Sequence, residues 1–331
     1  MNTILEYVWI DGKDNLRSKI KVCNSHVNSI NDVSYWNYDG SSTHQGTTED
    51  SEVTLIPVRL YKCPFKLANY IVLCETYDKH INPLPSNHRT DAKIIFDKYK
   101  GKKAWYGLEQ EYFMEDYHTN KPLGYDENES KHEKYYCSVG SNDMRVRQLS
   151  EEHMTMCLDM GIKISGINQE VAPGQCEFQI GPEEGLKVCD DLWVARFILQ
   201  KLGEKYKVKI NYHPKPILTN CNGSGCHTNF STNETRCENG YEQILQYIDK
   251  LKINHIKHIK AYGDDNHMRL IGTNETSSMD KFSWSVGGRD CSIRVGNDTF
   301  NDKKGYFEDR RPASNMNPYI VCPLILQTCI E

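Results

Sequence analysis

Two strand-like segments of this chain carry glutamates at positions that a folded sheet would enclose. In WYGLEQEYF (105–113), residues two apart share one face of a strand, so Glu109 and Glu111 point the same way. In NQEVAPGQCEFQIGP (168–182), the apolar residues around Glu177 alternate with it. A solvated edge strand would accommodate either segment alone, but two such segments favour enclosed carboxylates, which are costly without partners. Mg²⁺ and Mn²⁺ prefer oxygen ligands and would serve as those partners.

Composition excludes several classes of protein. The 331 residues are 38% hydrophobic and 26% charged, as expected for one large or two moderate globular domains. Forty Lys and Arg against 45 Asp and Glu give a net charge of −5, so we expect no nucleic-acid partner. We also expect no membrane span and no secretion signal, and therefore a cytoplasmic protein. The 13 cysteines form no CxxC pairs and are interpreted as reduced thiols.

Turn residues divide the chain near residue 82. Before it, the strand-like runs LEYVWI, LRSKIKVC, VTLIPVRLY and YIVLCETY alternate with turn clusters. The segment NPLP (82–85) breaks this pattern, and helical spacing follows. The remainder mixes strand-like segments with helical ones near 146–160, 184–202, 241–259 and 318–329. We predict an α+β fold with domains at residues 1–82 and 83–331.

Two further segments contain residue types that bind anions or metals. In NGSGCHTNFS (222–231), glycines permit close approach of the backbone to a ligand, while His227, Asn229 and Ser231 share a strand face. Arginines, which grip carboxylates and phosphates, accumulate near the C-terminus at positions 269, 289, 294, 310 and 311. The chain has no GxxxxGK[ST] motif. A bound nucleotide would therefore need cations and arginines to neutralise its phosphates.

Together these motifs resemble glutamine synthetase of the shorter, eukaryotic type. The resemblance covers almost the whole chain through WNYDGSS (36–42), EQE (109–111), NQEVAPGQCEFQIGP, DDLWVARFIL (190–199), NGSGCHTNFS, NETS (274–277) and KKGYFEDRRP (303–312). It implies a small β-grasp N-terminal domain and a larger catalytic domain with a curved antiparallel sheet flanked by helices. The implied activity is ATP-dependent ligation of ammonium to L-glutamate through γ-glutamyl phosphate, giving L-glutamine, ADP and phosphate.

The resemblance also implies roles residue by residue. Two or three Mg²⁺ or Mn²⁺ ions are expected, one held by Glu109, His227 and Glu308 and another by Glu111, Glu170 and Glu177. The expected catalytic residues are Asp39, Glu275, Arg289 and Arg310. The expected ATP site comprises Glu177, Pro182, Asn229, Ser231, Arg236, Arg289, Arg294 and Tyr306. The expected glutamate site comprises Asn220, Asn222, Gly223, Arg269, Arg289 and Arg310, with Arg269 as the carboxylate clamp.

The family assembles as two stacked pentameric rings, which implies a homodecamer in which Asp39 reaches the active site of a neighbouring subunit.

Some positions depart from the family pattern. Asn274 replaces a histidine, and Cys176 and Cys221 each replace a tryptophan. Looser packing is expected around the second cation and the glutamate pocket. The positions that match catalytic and metal-binding residues are all retained.

Other functions remain open from the sequence. An ATP:guanidino phosphotransferase is disfavoured because such enzymes do not use six metal-ligand positions. A non-catalytic oligomeric member of the family is disfavoured by the retained Asp39 and Glu275. A γ-glutamyl ligase that acts on another amine is harder to exclude, although Glu275 and the Asp39 loop favour ammonium.

Overall fold

A computed structural model describes residues 2–65, 67–126, 133–140, 143–217 and 221–331. The chain divides into two compact units, one comprising Met1–Ile94 with Met156–Ile162 and the other Ile95–Thr155 with Lys163–Glu331. Each unit contains both helices and strands, so the predicted α+β class is confirmed. Within the described ranges, no helix has the length and apolarity needed to cross a membrane.

The first unit contains a five-stranded mixed sheet in the order β2-β1-β5-β4-β3. Its strands are β1 (Thr3–Ile10), β2 (Leu16–Cys23), β3 (Trp36–Asp39), β4 (Glu52–Lys62) and β5 (Tyr70–Tyr77). Strands β1 and β5 are parallel, and the other neighbours are antiparallel. Because side chains alternate along a strand, Leu5, Tyr7 and Trp9 share one face of β1 and form a buried core. The β-grasp description of this unit stays a prediction.

The second unit is built on an eight-stranded sheet. Its strands are β6 (Trp105–Asp116), β7 (Ile164–Gln169), β8 (Gln175–Glu184), β9 (Val208–Asn211), β10 (Cys226–Ser231), β11 (Trp284–Val286), β12 (Ile293–Val295) and β13 (Phe307–Asp309). Their order is β11-β12-β13-β10-β6-β8-β7, and β9 pairs with the end of β6. The predicted curved antiparallel sheet is confirmed, apart from the parallel pair of β11 and β12.

Helices accompany these strands. They are α1 (His88–Lys98), α2 (Met144–Asp159), α3 (Gly185–Tyr206), α4 (Asn233–Arg236), α5 (Gly240–Ile253), α6 (His255–Ala261), α7 (Asn297–Asp302) and α8 (Pro318–Ile330). The prediction of one helix over 241–259 is wrong, because Asn254 leaves the helical conformation between α5 and α6. Its side-chain Nδ2 donates to the Lys250 carbonyl at 3.0 Å, which satisfies an acceptor at the end of α5.

The back of β6 is a fully buried polar and apolar layer. Leu108, Gln110 and Tyr112 face away from Glu109 and Glu111, as strand alternation predicts. Arg196 of α3 donates to Gln110 Oε1 from Nε at 2.8 Å and from Nη2 at 2.5 Å, and Gln110 Nε2 donates to the Glu111 carbonyl at 2.7 Å. These bonds satisfy buried polar groups and fix the strand that carries the two glutamates.

Candidate active site

Three strands bring the first predicted set of metal ligands together. In the antiparallel register, His227 of β10 lies opposite Glu109 of β6, and Glu308 lies on the other neighbour of β10, strand β13. His227 Nδ1 is 3.4 Å from Glu109 Oε2 and 3.3 Å from Glu308 Oε1. One ligand atom from each residue falls within 4.8 Å of the others. Two carboxylates and one imidazole in this arrangement suit a divalent cation.

The second predicted set lines the same cavity, whose volume is about 220 Å³. Glu111 of β6 lies opposite Glu177 of β8, and Glu170 follows the last residue of β7. Glu111 Oε2 accepts from the Gly225 backbone N–H at 2.8 Å and lies 3.1 Å from Gln175 Nε2, a second donor. These two contacts hold the Glu111 carboxylate at the cavity wall.

Neutral amides accompany the other carboxylates. Asn168 Nδ2 donates to Glu170 Oε1 at 2.8 Å, and Gln179 Nε2 donates to Glu177 Oε1 at 2.7 Å. Asn229 Nδ2 donates to a Glu109 oxygen, also at 2.7 Å. An amide orients a carboxylate but does not cancel its charge. The cavity therefore concentrates negative charge and fits divalent cations.

Burial, reinforced by repulsion between neighbouring carboxylates, changes the acidity of Glu170 and Glu177. Burial, reinforced by the charge of Glu111, raises the pKa of Glu170 to about 7. Burial, with the charges of Glu109 and Glu111, also raises the pKa of Glu177 well above its ordinary value. Without a cation, the folded chain therefore retains protons here at neutral pH.

The imidazole of His227 has the opposite electrostatic environment. Its burial and the Arg310 charge lower its pKa, but hydrogen bonds to Glu109 and Glu308 outweigh them and raise it to about 9. The pKa of Glu308 falls to about 2, because its bonds to His227 and the nearby arginines exceed the opposing effect of burial. A cation at this position would replace the imidazole proton.

Three of the predicted arginines line the cavity: Arg289, Arg294 and Arg310. Arg310 Nη1 donates to Glu308 at 2.6 Å, while its Nη2 donates to the Glu275 carbonyl at 3.2 Å. Arg289 Nη1 lies 3.6 Å from the Glu275 carboxylate. Arg310 thus links Glu275 to Glu308, a member of the first predicted set of metal ligands. These arginines provide the positive charge that an anionic substrate requires.

A small polar pocket adjoins Glu111 and Glu170 and contains four residues of the predicted glutamate site: Asn222, Gly223, Arg269 and Arg310. Arg269 is buried, and its Nη2 donates to the Arg310 carbonyl at 2.7 Å and the Pro312 carbonyl at 3.0 Å. Its Nε has no hydrogen-bond partner among the described residues. Asn220, also predicted for this site, lies outside the described residues.

A larger pocket of about 360 Å³ contains the other predicted ATP-binding residues, Pro182, Asn229, Ser231, Arg236 and Tyr306. Its wall shares Glu109 and Gln179 with the carboxylate cavity, so the two spaces are contiguous. The Arg236 guanidinium lies 4.0 Å from the centre of the Trp105 ring, and its Nη1 donates to Ser231 Oγ at 2.8 Å. A flat aromatic ring would fit beside Trp105.

Sequence reasoning missed two aromatic residues of this region. Trp105 lines the larger pocket and Tyr136 lines the carboxylate cavity. Trp105 is the first residue of β6, the strand that carries Glu109, and this position in the sequence could have indicated that Trp105 lies near the site. Tyr136 lies in a polar segment without strand or helix periodicity, so its place depends on tertiary contacts alone.

Asp39 belongs to the first unit and ends β3. Its Oδ1 accepts from the Ser41 hydroxyl at 2.6 Å and from the Ser41 N–H at 3.0 Å, and these bonds hold the pKa of Asp39 below its ordinary value. The carboxylate is therefore ionised at neutral pH.

The positions that depart from the family pattern are also located. Cys176 and Cys221 are both buried, and Cys221 packs with Phe113 and Ile217. Asn274 Nδ2 donates to the Cys221 carbonyl at 3.4 Å. Asn274 and Glu275 both have positive φ angles, of 54° and 61°. The predicted effect of these departures on packing stays a prediction.

The cavity combines carboxylates, an imidazole and arginines, which are residue types that cation-assisted phosphoryl transfer requires. Residues 90–247 match the sequence family described as glutamine synthetase, catalytic domain. A putative glutamine synthetase of Acanthamoeba polyphaga mimivirus is 53% identical and covers 99% of this chain and 94% of its own length. A cytosolic glutamine synthetase isozyme of Pinus sylvestris is 46% identical, over 99% of this chain and 93% of its own. The glutamine synthetase of Schizosaccharomyces pombe is 43% identical and covers 98% of this chain and 91% of its own length.

The chain belongs to the glutamine synthetase family. The similarity extends over nearly its full length, so it includes both units. The family predicted from the sequence motifs is confirmed.

Proposed function

We propose that this protein ligates ammonium to L-glutamate, with ATP as co-substrate and γ-glutamyl phosphate as intermediate, to give L-glutamine, ADP and phosphate. The observation that carries the proposal is the single cavity lined by glutamates, His227 and three arginines, contiguous with a pocket of the size that an adenine requires. A glutamate γ-carboxylate is a poor electrophile, and phosphorylation turns one of its oxygens into a leaving group. Membership of the family supports the same reaction.

We propose two or three Mg²⁺ or Mn²⁺ ions per site. Glu109, His227 and Glu308 would hold one ion, and Glu111, Glu170 and Glu177 would hold another. The donor set fits, since hard divalent cations take carboxylate oxygens and also accept an imidazole nitrogen. When bound, the ions would neutralise phosphate charge and permit two anionic substrates to approach each other.

The substrates would occupy the adjoining spaces. We propose that ATP contacts Glu177, Pro182, Asn229, Ser231, Arg236, Arg289, Arg294 and Tyr306. Glutamate would contact Asn220, Asn222, Gly223, Arg269, Arg289 and Arg310. The arginines would stabilise the charge that develops on the transferred phosphoryl group. The positions of Arg289 and Arg310 on one cavity wall support this shared role.

Ammonium must lose a proton before its lone pair attacks the acyl phosphate. We propose Asp39 as the acceptor of that proton, supplied by the neighbouring subunit of a homodecamer. Its ionised state supports the role. Glu275 would close over the intermediate and restrict its hydrolysis, and its position in the cavity lining, 3.6 Å from Arg289 Nη1, supports this role.

The remaining proposals concern organisation. We propose domains at residues 1–82 and 83–331, supported by the end of β5 at Tyr77 and the start of α1 at His88. We propose a cytoplasmic location, which the cytosolic isozymes among the relatives support, although chloroplastic and mitochondrial relatives also occur.

The test is phosphate release from ATP by the purified protein with Mg²⁺ and glutamate, with and without ammonium. We expect ammonium to stimulate release and the transition-state mimic methionine sulfoximine to abolish it. Stimulation by another amine in place of ammonium would identify a different γ-glutamyl ligase. Absence of release from a folded oligomer with either metal would contradict the proposal and favour a non-catalytic member.

Cation binding is expected to release protons and to strengthen as pH rises from about 6 to about 10. The reason is that Glu170, with a pKa of about 7, and the His227 imidazolium, with a pKa of about 9, must lose protons before they coordinate an ion. Calorimetric titration with Mn²⁺ in two buffers of different ionisation enthalpy measures the proton number. A pH-independent affinity with no proton release would contradict the assignment of these residues as ligands.

A further inference from the structure

A short turn at residues 135–138 forms part of the cavity wall. Tyr136 in this turn lines the cavity together with Arg289 and Glu275. Arg289 hydrogen-bonds to the Tyr136 side chain, and this bond is the main reason that the pKa of Arg289 is raised. Tyr136 is therefore one of the groups that orient Arg289, together with the Glu275 carboxylate 3.6 Å from Arg289 Nη1.

The turn has an unfavourable backbone conformation. Cys137 has a φ of 51°, in the left-handed region, and for a residue other than glycine this costs about 1 kcal/mol or more. The Ser138 N–H donates to the Tyr135 carbonyl at 3.1 Å, which closes the turn. A single closing bond does not connect it to the sheet, so contacts outside the turn must hold it in place.

Gln169, the last residue of β7, provides two of those contacts, while Arg147 Nη2 donates to the Ser138 carbonyl at 2.6 Å and the Tyr135 hydroxyl donates to the Gly124 carbonyl at 2.9 Å. Its carbonyl accepts from the Cys137 N–H at 3.1 Å, and its side-chain Oε1 accepts from the Ser138 hydroxyl at 2.9 Å. The Nε2 atom of Gln169 is buried and has no hydrogen-bond partner among the described residues. The Ser138 hydroxyl is thus the one described hydrogen-bond partner of this amide.

The anchor point is rigid. Gln169 pairs with Cys176 of β8, and Glu170 is the next residue along the chain. Asn168, one residue earlier, donates to Glu170 at 2.8 Å. The same end of β7 therefore supports a carboxylate of the cavity and the turn that carries Tyr136.

We propose that Ser138 and Gln169 are positioning residues that hold Tyr136 against Arg289 and thereby orient Arg289 toward an anionic substrate. Neither Ser138 nor Gln169 is among the residues that line the cavity, and the bond between their side chains reaches it through the turn that carries Tyr136. The choice of glutamate as that anionic substrate rests on the function proposed above.

The kinetic test compares Ser138→Ala, Gln169→Met and the double variant. Each single variant is expected to raise the KM for glutamate about two- to tenfold, the effect of one neutral hydrogen bond, and to raise the KM for ATP by no more than that, since Arg289 is also proposed to contact ATP. The double variant should be no worse than the more impaired single variant, because one bond is lost in all three. Ser138→Thr, which keeps the hydroxyl, should retain the wild-type KM, as should the control Thr155→Ala, which removes an exposed hydroxyl from α2.

Hydrogen exchange provides a measurement that does not depend on activity. Peptides covering residues 134–140 should exchange faster in Ser138→Ala and Gln169→Met than in the wild type and in Thr155→Ala. Unchanged exchange, or KM effects of the single variants that add up in the double variant, would overturn the proposal. An inactive wild-type protein would instead contradict the proposed ligase activity, and the exchange rates would then decide the positioning of the turn separately.

Discussion

Replacing Glu111 with alanine is expected to reduce ligase turnover about a hundredfold or more while the chain remains folded and oligomeric. Glu111 lies opposite Glu177 and is a principal source of the repulsion that raises the pKa of Glu170. Its removal deletes a proposed cation ligand but also relieves repulsion in the folded chain. The loss should therefore appear in cation dependence and turnover, and the thermal midpoint of the metal-free protein should not fall steeply.

Turnover measured across a Mn²⁺ or Mg²⁺ titration checks this expectation, with direct calorimetry of cation binding to the same variant. Glu204→Ala is a matched control, since Glu204 is an exposed residue of α3 outside the cavity. Wild-type turnover and cation dependence in the Glu111 variant would refute the assignment of the second cation site.

Replacing Asp39 with alanine is expected to lower kcat/KM for ammonium about a hundredfold, within the range typical of a lost general base. The apparent KM for ammonium should rise more than that for ATP, because only the amine requires deprotonation. Since free ammonia needs no base, the defect should shrink as pH rises and the neutral amine becomes more abundant.

Initial rates over ammonium concentration at several pH values provide the measurement. Asp50→Ala is a suitable control, because Asp50 is an exposed aspartate of the same unit that pairs with Lys79 on the surface. An unchanged ammonium dependence in the Asp39 variant would remove Asp39 from the proposed amine site.

Local periodicity predicted much of the fold. The alternation in β6 placed Glu109 and Glu111 on one face, and in the structure Leu108, Gln110 and Tyr112 are buried on the other face. The same rule placed His227 and Asn229 on one face of β10, where Asn229 now contacts Glu109. Period-two patterns specify faces because successive side chains of a strand point in opposite directions.

Irregular segments were predicted less well. The break between α5 and α6 falls at the single residue Asn254, whose side chain bonds to the Lys250 carbonyl within an otherwise helical pattern. Tyr136 was missed because the residues of its turn show neither helix nor strand periodicity. Its turn is held by bonds to residues elsewhere in the sequence, among them Gln169, which is 33 residues away from Tyr136.

The sequence by itself determined the family, the α+β class and the faces on which the acidic residues lie, because motifs and alternation are local properties of the chain. Only the tertiary structure decided which residues meet. The register of β6, β10 and β13 brings Glu109, His227 and Glu308 together, and the contacts made there raise the pKa of His227 and lower the pKa of Glu308 against the effect of burial. Register and burial arise from contacts between distant segments, and no local pattern specifies them.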